Sequence, residues 1–149
     1  MIDCGMRMEE NKMEIEEDLR NMVQKKYHFL ERKLKKYELV KGQADLLLLI
    51  KDNDGITQNE LATLLKIKDS SMSVRLNKLE KLDYITREID KDNQKKKRVY
   101  ITSIGKSVCG QCRRMVREFE ELMYHGFTKK EKQQLEKSFE KINHNLGIK

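Results

Sequence analysis

A chain of 149 residues with a formal net charge of +7 and a mean hydropathy of −0.81 is long enough for one domain with helical extensions. Charged residues make up 38% and aromatic residues only 6%, so one copy should build a modest aliphatic core and bury its remaining amphipathic helices against a second subunit. The basic balance favours an anionic partner; the longest apolar run, Leu46 to Ile50, is far too short to span a bilayer, and no basic segment has the wide apolar face of a membrane-surface helix, so nucleic acid is expected and a membrane is not.

The first residues, Met1 to Arg7, lack the apolar stretch of a signal peptide. Three cysteines, an odd number, do not suit a secreted disulfide framework, and the expected compartment is the cytoplasm. Residues 1 to 12 are polar and expected to be frayed. From Met13 to Tyr37 the spacing of Ile15, Leu19, Met22, Val23, Tyr27, Leu30, Leu34 and Tyr37 predicts a long helix, with Glu14, Glu16, Glu17 and Asp18 early and Lys33, Lys35 and Lys36 late, the order that suits the helix dipole. Gly42 separates it from a shorter apolar helix, Gln43 to Lys51, which ends at Asp52-Asn53-Asp54-Gly55.

Ile56 to Thr102 is the organising stretch. Thr57-Gln58-Asn59-Glu60 fits a capping box, with Ile56 and Leu61 as its hydrophobic staple, and Leu61, Leu64 and Leu65 are expected on one face. That helix should stop near Lys66-Ile67-Lys68, and Asp69 or Ser70 can cap a second one, whose apolar stripe is Met72, Leu76 and Leu79. The opposite face carries Ser70, Ser71, Val74, Asn77 and Lys78, with Ser73 and Arg75 on its flanks. Small hydroxyls, an amide and cations there suit a major groove, where Val74 can meet a thymine methyl. Tyr84 to Ile89 and Arg98 to Thr102 alternate as strands around a polar tip, Asp90-Lys91-Asp92-Asn93-Gln94-Lys95-Lys96-Lys97. Between Lys66 and Tyr100 there are eleven Lys and Arg against six Asp and Glu, so this segment holds +5 of the chain's +7. A solvated loop is the ordinary meaning of such a run; directly after a helix-turn-helix pattern it suits a phosphate-facing surface. Thr102 or Ser103 opens another long helix to about His125, Gly126 stops it, and Thr128-Lys129-Lys130-Glu131 is a second capping box before a last helix carrying Leu135, Phe139, Ile142 and Leu146. The expected class is mainly α with a small β-wing: a winged helix-turn-helix core (38–102) between an N-terminal dimerisation helix (1–37) and C-terminal dimerisation helices (103–149), in one compact chain.

Gly42 to Ile50, Thr57 to Ala62, Ser70 to Glu80, Asp90-Lys91-Asp92 and Ile101-Thr102-Ser103-Ile104-Gly105-Lys106 together resemble the MarR family of bacterial transcriptional regulators, over nearly the whole chain. The resemblance implies a winged helix-turn-helix homodimer on a pseudo-palindromic double-stranded DNA operator, without a cofactor, with a small-molecule effector or an oxidant as the releasing signal. The family's wing tip follows a pattern like Asp-x-Asp-x-Arg-Arg; here Gln94 and Lys95 stand at the arginine positions, which leaves Lys95, Lys96 or Lys97 as substitutes. Phosphate contacts are expected from Lys68, Arg75, Lys78 and Lys95 to Lys97, and base reading from Ser70, Ser71, Val74 and Asn77.

Cys109-Gly110-Gln111-Cys112 could be two buried thiols, a redox couple or half of a zinc site. No βαβ unit or adjacent proline supports a thioredoxin-like enzyme, and further zinc ligands would have to come from the scattered His28, His125, His144 or Cys4, so buried thiols are the preferred reading and no metal is expected. The resemblance places Cys109, Cys112, Tyr27 and His28 near an effector cleft; on the residues alone Tyr27 is a core aromatic and His28 a solvated or hydrogen-bonded histidine. A thiol-dependent redox protein and a winged-helix module for protein contacts are the two other readings. No catalytic constellation or phosphate-cradling glycine loop appears.

Overall fold

The computed structural model describes the backbone of residues 4–147 and the side chains of residues 14–147. Its elements in order are α1 (Cys4–Leu34), a 3₁₀ turn (Lys35–Tyr37), α2 (Lys41–Asp52), α3 (Gln58–Leu64), α4 (Asp69–Lys81), β1 (Ile85–Ile89), β2 (Lys97–Ile101), α5 (Ser103–Met123) and α6 (Lys129–Asn145). The first helix starts at Cys4 rather than Met13, because Met6 to Lys12 are mostly good helix formers with no breaker among them. Glu14 to Asp18 therefore lie inside α1 and not at its start, whereas the basic last turn is real, with Arg32 and Lys33. The expected fraying falls partly on residues 1–3, outside the described residues.

Packing divides the chain into two units, Met1–Val116 and Arg117–Lys149. In the first, Leu30 and Leu34 of α1, Leu46, Leu47 and Ile50 of α2, Leu61 of α3, and Met72, Leu76 and Leu79 of α4 close on Ile85 and Val99 of the wing and on Cys109 of α5. The start of α2 is held from α1: the Lys41 amide donates to Glu31 Oε1 at 2.6 Å. β1 and β2 pair antiparallel, with Ile85 opposite Ile101 and Ile89 opposite Lys97. A third, very short strand that sequence periodicity did not predict joins them: Thr57 bridges Arg98, the Gly55 amide donates to Val99 O, and the Val99 amide donates to Ile56 O, both at 2.9 Å. That bridge seats the wing against the entry to α3.

The capping box at Thr57 forms as its sequence demands. The Glu60 amide donates to Thr57 Oγ1 at 3.3 Å, and Glu60 Oε2 accepts from the Thr57 amide at 2.8 Å and its hydroxyl at 2.7 Å. These bonds from Thr57 hold the Glu60 carboxyl below its ordinary pKa. Thr57 is buried, so Thr57→Ala should cost about 1–2 kcal/mol in urea unfolding while Thr57→Ser costs much less; equal losses would show that the methyl group, not the cap, matters.

The apolar face of α3 is only partly buried. Leu61 and Ala62 are buried, but Leu64 is 58% exposed and Leu65 37%. The helix spans only seven residues, and Leu64, at the edge of its apolar face away from Ala62, lines a groove of about 640 Å³ with Ile56, Thr57 and Lys96.

In the second unit, Gly126 with φ +82° ends the hairpin turn and Thr128 caps α6 by the same reciprocal arrangement with Glu131. Tyr124 and Phe127 meet edge to face at 5.8 Å, and Lys132 Nζ lies 5.2 Å from the Tyr124 ring centre. No residue of α6 is buried, although Leu135 and Phe139 are half-buried and Ile142 and Leu146 exposed.

Candidate nucleic-acid interface

Lys66, with φ +52°, turns the chain out of α3, and α4 begins at Asp69. The residue before it, Lys68, makes no side-chain cap, which corrects the expectation that Asp69 or Ser70 would cap the helix. Asp69 is instead the first helical residue; its carboxylate accepts from Asn59 Nδ2 at 3.0 Å, tying α4 to α3, and its charge suits the positive end of the helix. Met72, Leu76 and Leu79 are fully buried, as their spacing requires. Rotation by 100° per residue then leaves Ser70, Ser71, Val74, Arg75, Asn77 and Lys78 exposed and Ser73 half-buried. Val74, at 69%, is among the most exposed large apolar side chains described.

The wing is built on Asp90. Its buried carboxylate accepts from the amides of Asp92 and Asn93, both at 2.9 Å, and from Arg98 Nε, and these bonds hold its pKa below the ordinary aspartate value, the Asp92 amide first. Arg98 reaches on to Gly55 O at 2.9 Å. Asn93 closes the tip by accepting from the amides of Lys95 and Lys96. Lys91 to Lys97 are exposed, including Gln94, Lys95, Lys96 and Lys97. None of Lys68, Arg75, Lys78, Lys95, Lys96 and Lys97 forms a salt bridge with a described residue. Cations without a salt bridge among the described residues, on an exposed helix face and a hairpin tip, are suited to phosphate, although Lys96 and Lys97 also feel the charges of Glu60 and Glu80.

Two further arginines shape this surface without offering their charge to it. Arg98 is spent on Asp90 and Gly55. Arg87 of β1 donates through Nε to Glu80 Oε2 at 3.1 Å and through Nη2 to both Glu80 Oε2 and Asn77 Oδ1, and the Arg87 bond holds the Glu80 carboxyl below its ordinary pKa. Sequence reasoning missed both. The signal available was alternation: Arg87 shares a strand face with Ile85, and a cation on an inward face needs a partner.

The remaining candidates lie elsewhere. Tyr27 and His28 are exposed on α1, their rings edge to face at 6.0 Å; Tyr27, 48% exposed, is not the core aromatic expected. Cys109 and Cys112 are buried on α5, the Cys109 thiol donating to Leu47 O at 3.7 Å. Burial pushes the Cys109 pKa up to about 11 and raises that of Cys112. A raised thiol pKa means less thiolate at neutral pH. In a Cys4→Ser background, native protein at pH 7 should therefore react with iodoacetamide about a hundredfold more slowly than an exposed thiol, and at the ordinary rate once unfolded. Fast native alkylation would mean that α5 opens. Among the described residues no group of three or more His, Cys, Asp or Glu is placed to hold a metal, and no helix is long and apolar enough to cross a membrane.

Comparison with known proteins fits this geometry. The family model described as the MarR family matches residues 39–96, from the start of α2 to the wing tip. The chain is 30% identical over 112 residues to the HTH-type transcriptional regulator YybA of Bacillus subtilis (strain 168), covering 75% of each. Among solved structures, its fold is similar to a MarR transcriptional regulator from Methanosarcina mazei Go1 (TM-score 0.69, 24% identity, 91% of this chain and 98% of that one). It is also similar to a SlyA-like transcription regulator from Listeria monocytogenes (TM-score 0.66, 27% identity, 87% of each chain). The chain belongs to the MarR family of transcriptional regulators, winged-helix proteins that act by binding DNA and not by catalysing a reaction.

Proposed function

We propose that the protein is a homodimeric, ligand-released repressor that presents two copies of α4 and the wing to a pseudo-palindromic duplex operator. The observation that carries this reading is the exposed face of α4, where Ser70, Ser71, Val74 and Asn77 stand among cations that form no salt bridge with a described residue, beside a basic wing tip. Lys68, Arg75, Lys78 and Lys95 to Lys97 supply phosphate contacts, Gln94 extends the tip, and the small polar side chains with Val74 supply base contacts.

A second subunit is supported by apolar surface that one subunit leaves open. On α1, Ile15, Leu19, Met22, Val23 and Tyr27 are exposed at helical spacing. On α6 and its C-cap, Ile142 and Leu146 are exposed as well. Covering such stripes by association makes α1 and the C-terminal helices the dimerisation elements, and two-fold symmetry then sets two α4 helices about one DNA turn apart. A signal that changes that separation changes affinity for the operator. Between a ligand and an oxidant as the signal, the burial of Cys109 and Cys112, which raises both thiol pKa values, favours a ligand.

The test is a mobility shift on the chain's own upstream region over a salt series, with a footprint and sedimentation of the free protein. The expected results are a dimer, two protected half-sites about one turn apart, and steep salt dependence. A monomer, or a salt slope near zero, would remove the reading in favour of a module for protein contacts.

A further inference from the structure

Asn77 is the one base-reading candidate whose side chain is held by another part of the chain. It is exposed on α4, yet its Oδ1 accepts from Arg87 Nη2 across to β1. The same guanidinium grips Glu80 through Nε and Nη2, and the Arg87 side chain is only 12% exposed, so it is walled in and kept for this purpose. A guanidinium has donors only, so of the two ends of the Asn77 amide only the oxygen can face it. The Nδ2 end points away from Arg87, which leaves its two N–H donors free for another partner.

That orientation has a chemical consequence. An asparagine that reads adenine turns both ends to the base, accepting from N6 and donating to N7. With its oxygen turned to Arg87 and one of its lone pairs taken there, the amide leads with its N–H donors, for which adenine offers one acceptor, N7, beside a competing N6 donor. Guanine presents N7 and O6, both acceptors, and suits a donor end.

We propose that Arg87 is a positioning residue for base choice: by holding Asn77 Oδ1 it presents Asn77 as a hydrogen-bond donor and selects guanine over adenine at the base Asn77 faces. The proposal rests on α4 being the reading helix. It goes further in saying which base edge one of its side chains takes and which residue outside the helix decides that.

The experiment selects bound duplexes from a randomised library with the full chain as wild type, Asn77→Ala and Arg87→Lys. Arg87→Lys keeps a cation for Glu80 but lacks the second nitrogen that reaches Asn77. The wild type should prefer guanine to adenine by roughly tenfold at one position of each half-site, and Asn77→Ala should erase that preference alone. Arg87→Lys should reduce it to less than about threefold at the same position, leaving the other positions unchanged. A second arm needs no variant of Arg87: 7-deazaguanine at that position, which lacks the N7 acceptor, should weaken wild-type binding by roughly tenfold and Asn77→Ala binding not at all. An operator that the wild type selects but in which Asn77→Ala alters no base, or a guanine preference that survives Arg87→Lys intact, overturns the proposal while leaving DNA reading by α4 standing. A wild type that selects no sequence at all overturns both.

Discussion

Replacing Lys95, Lys96 and Lys97 together by alanine should flatten the salt dependence of operator binding more than any other surface change in the chain. These side chains are exposed at the wing tip and form no salt bridge with a described carboxylate. If each meets one phosphate, the slope of log affinity against log salt falls in magnitude by about 2.7, from roughly 0.9 per neutralised phosphate. A fourfold rise in salt would then weaken the wild type about fortyfold more than the variant. Because phosphate contacts carry no sequence information, the loss should be uniform over operator and random duplex, and the ratio between them should hold. The single change Lys95→Ala should remove about one unit of slope on the same scale. Lys129→Ala with Lys130→Ala on α6 is the control for net charge and should leave the slope in place. A triple variant with the wild-type slope would show that the wing tip hangs clear of the duplex, and phosphate contact would rest on Lys68, Arg75 and Lys78 alone.

What the sequence disclosed about this surface was local, and what it concealed was between elements. The capping boxes at Thr57 and Thr128 and the stripe of Met72, Leu76 and Leu79 depend on residues three to seven apart, so their spacing was sufficient to place them. Leu64 lies only about 60° from Leu61 by the same periodicity and still stays exposed, because it faces the groove lined by Ile56, Thr57 and Lys96 and not the core. Asp90 was recognisable as a turn former; that its carboxylate is buried and organises the wing depends on Arg98, eight residues away across the hairpin. Arg87 counted in the sequence as one more cation of a basic segment. In the fold it is withdrawn from that segment and committed to Glu80 and Asn77, a link that no periodicity encodes. The exposed Tyr27 has the same character: its spacing along α1 marks an apolar stripe without saying that the first unit leaves it uncovered.

Two glycines in one helix should respond to alanine with opposite signs. At Gly105 an added Cβ would lie 2.1 Å from Tyr84 O and 2.9 Å from Ile101 Cγ1. Neither neighbour can yield cheaply: Tyr84 O already accepts from the Thr102 amide at 3.1 Å, and Ile101 is the last residue of β2, packed in the core. The Gly105 amide is itself fixed by donating to Thr102 Oγ1 at 2.9 Å, so the whole first turn of α5 would have to lift from the base of the wing. Gly105→Ala should therefore cost about 3 kcal/mol or more, at the upper end of overpacking effects. Gly110, one and a half turns further along, meets nothing within 4 Å, has no positive φ and is exposed. There alanine removes backbone freedom only from the unfolded chain, and Gly110→Ala should gain about 0.5–1 kcal/mol. Urea unfolding at one protein concentration reads both as shifts of the midpoint at constant slope. The larger shift has a functional echo: because Tyr84 and Ile101 flank the strands that carry the wing, Gly105→Ala should also weaken operator binding under conditions where it is still folded. A Gly105→Ala midpoint equal to the wild type would mean that α5 does not approach Tyr84 this closely, and that the base of the wing is set by some other contact.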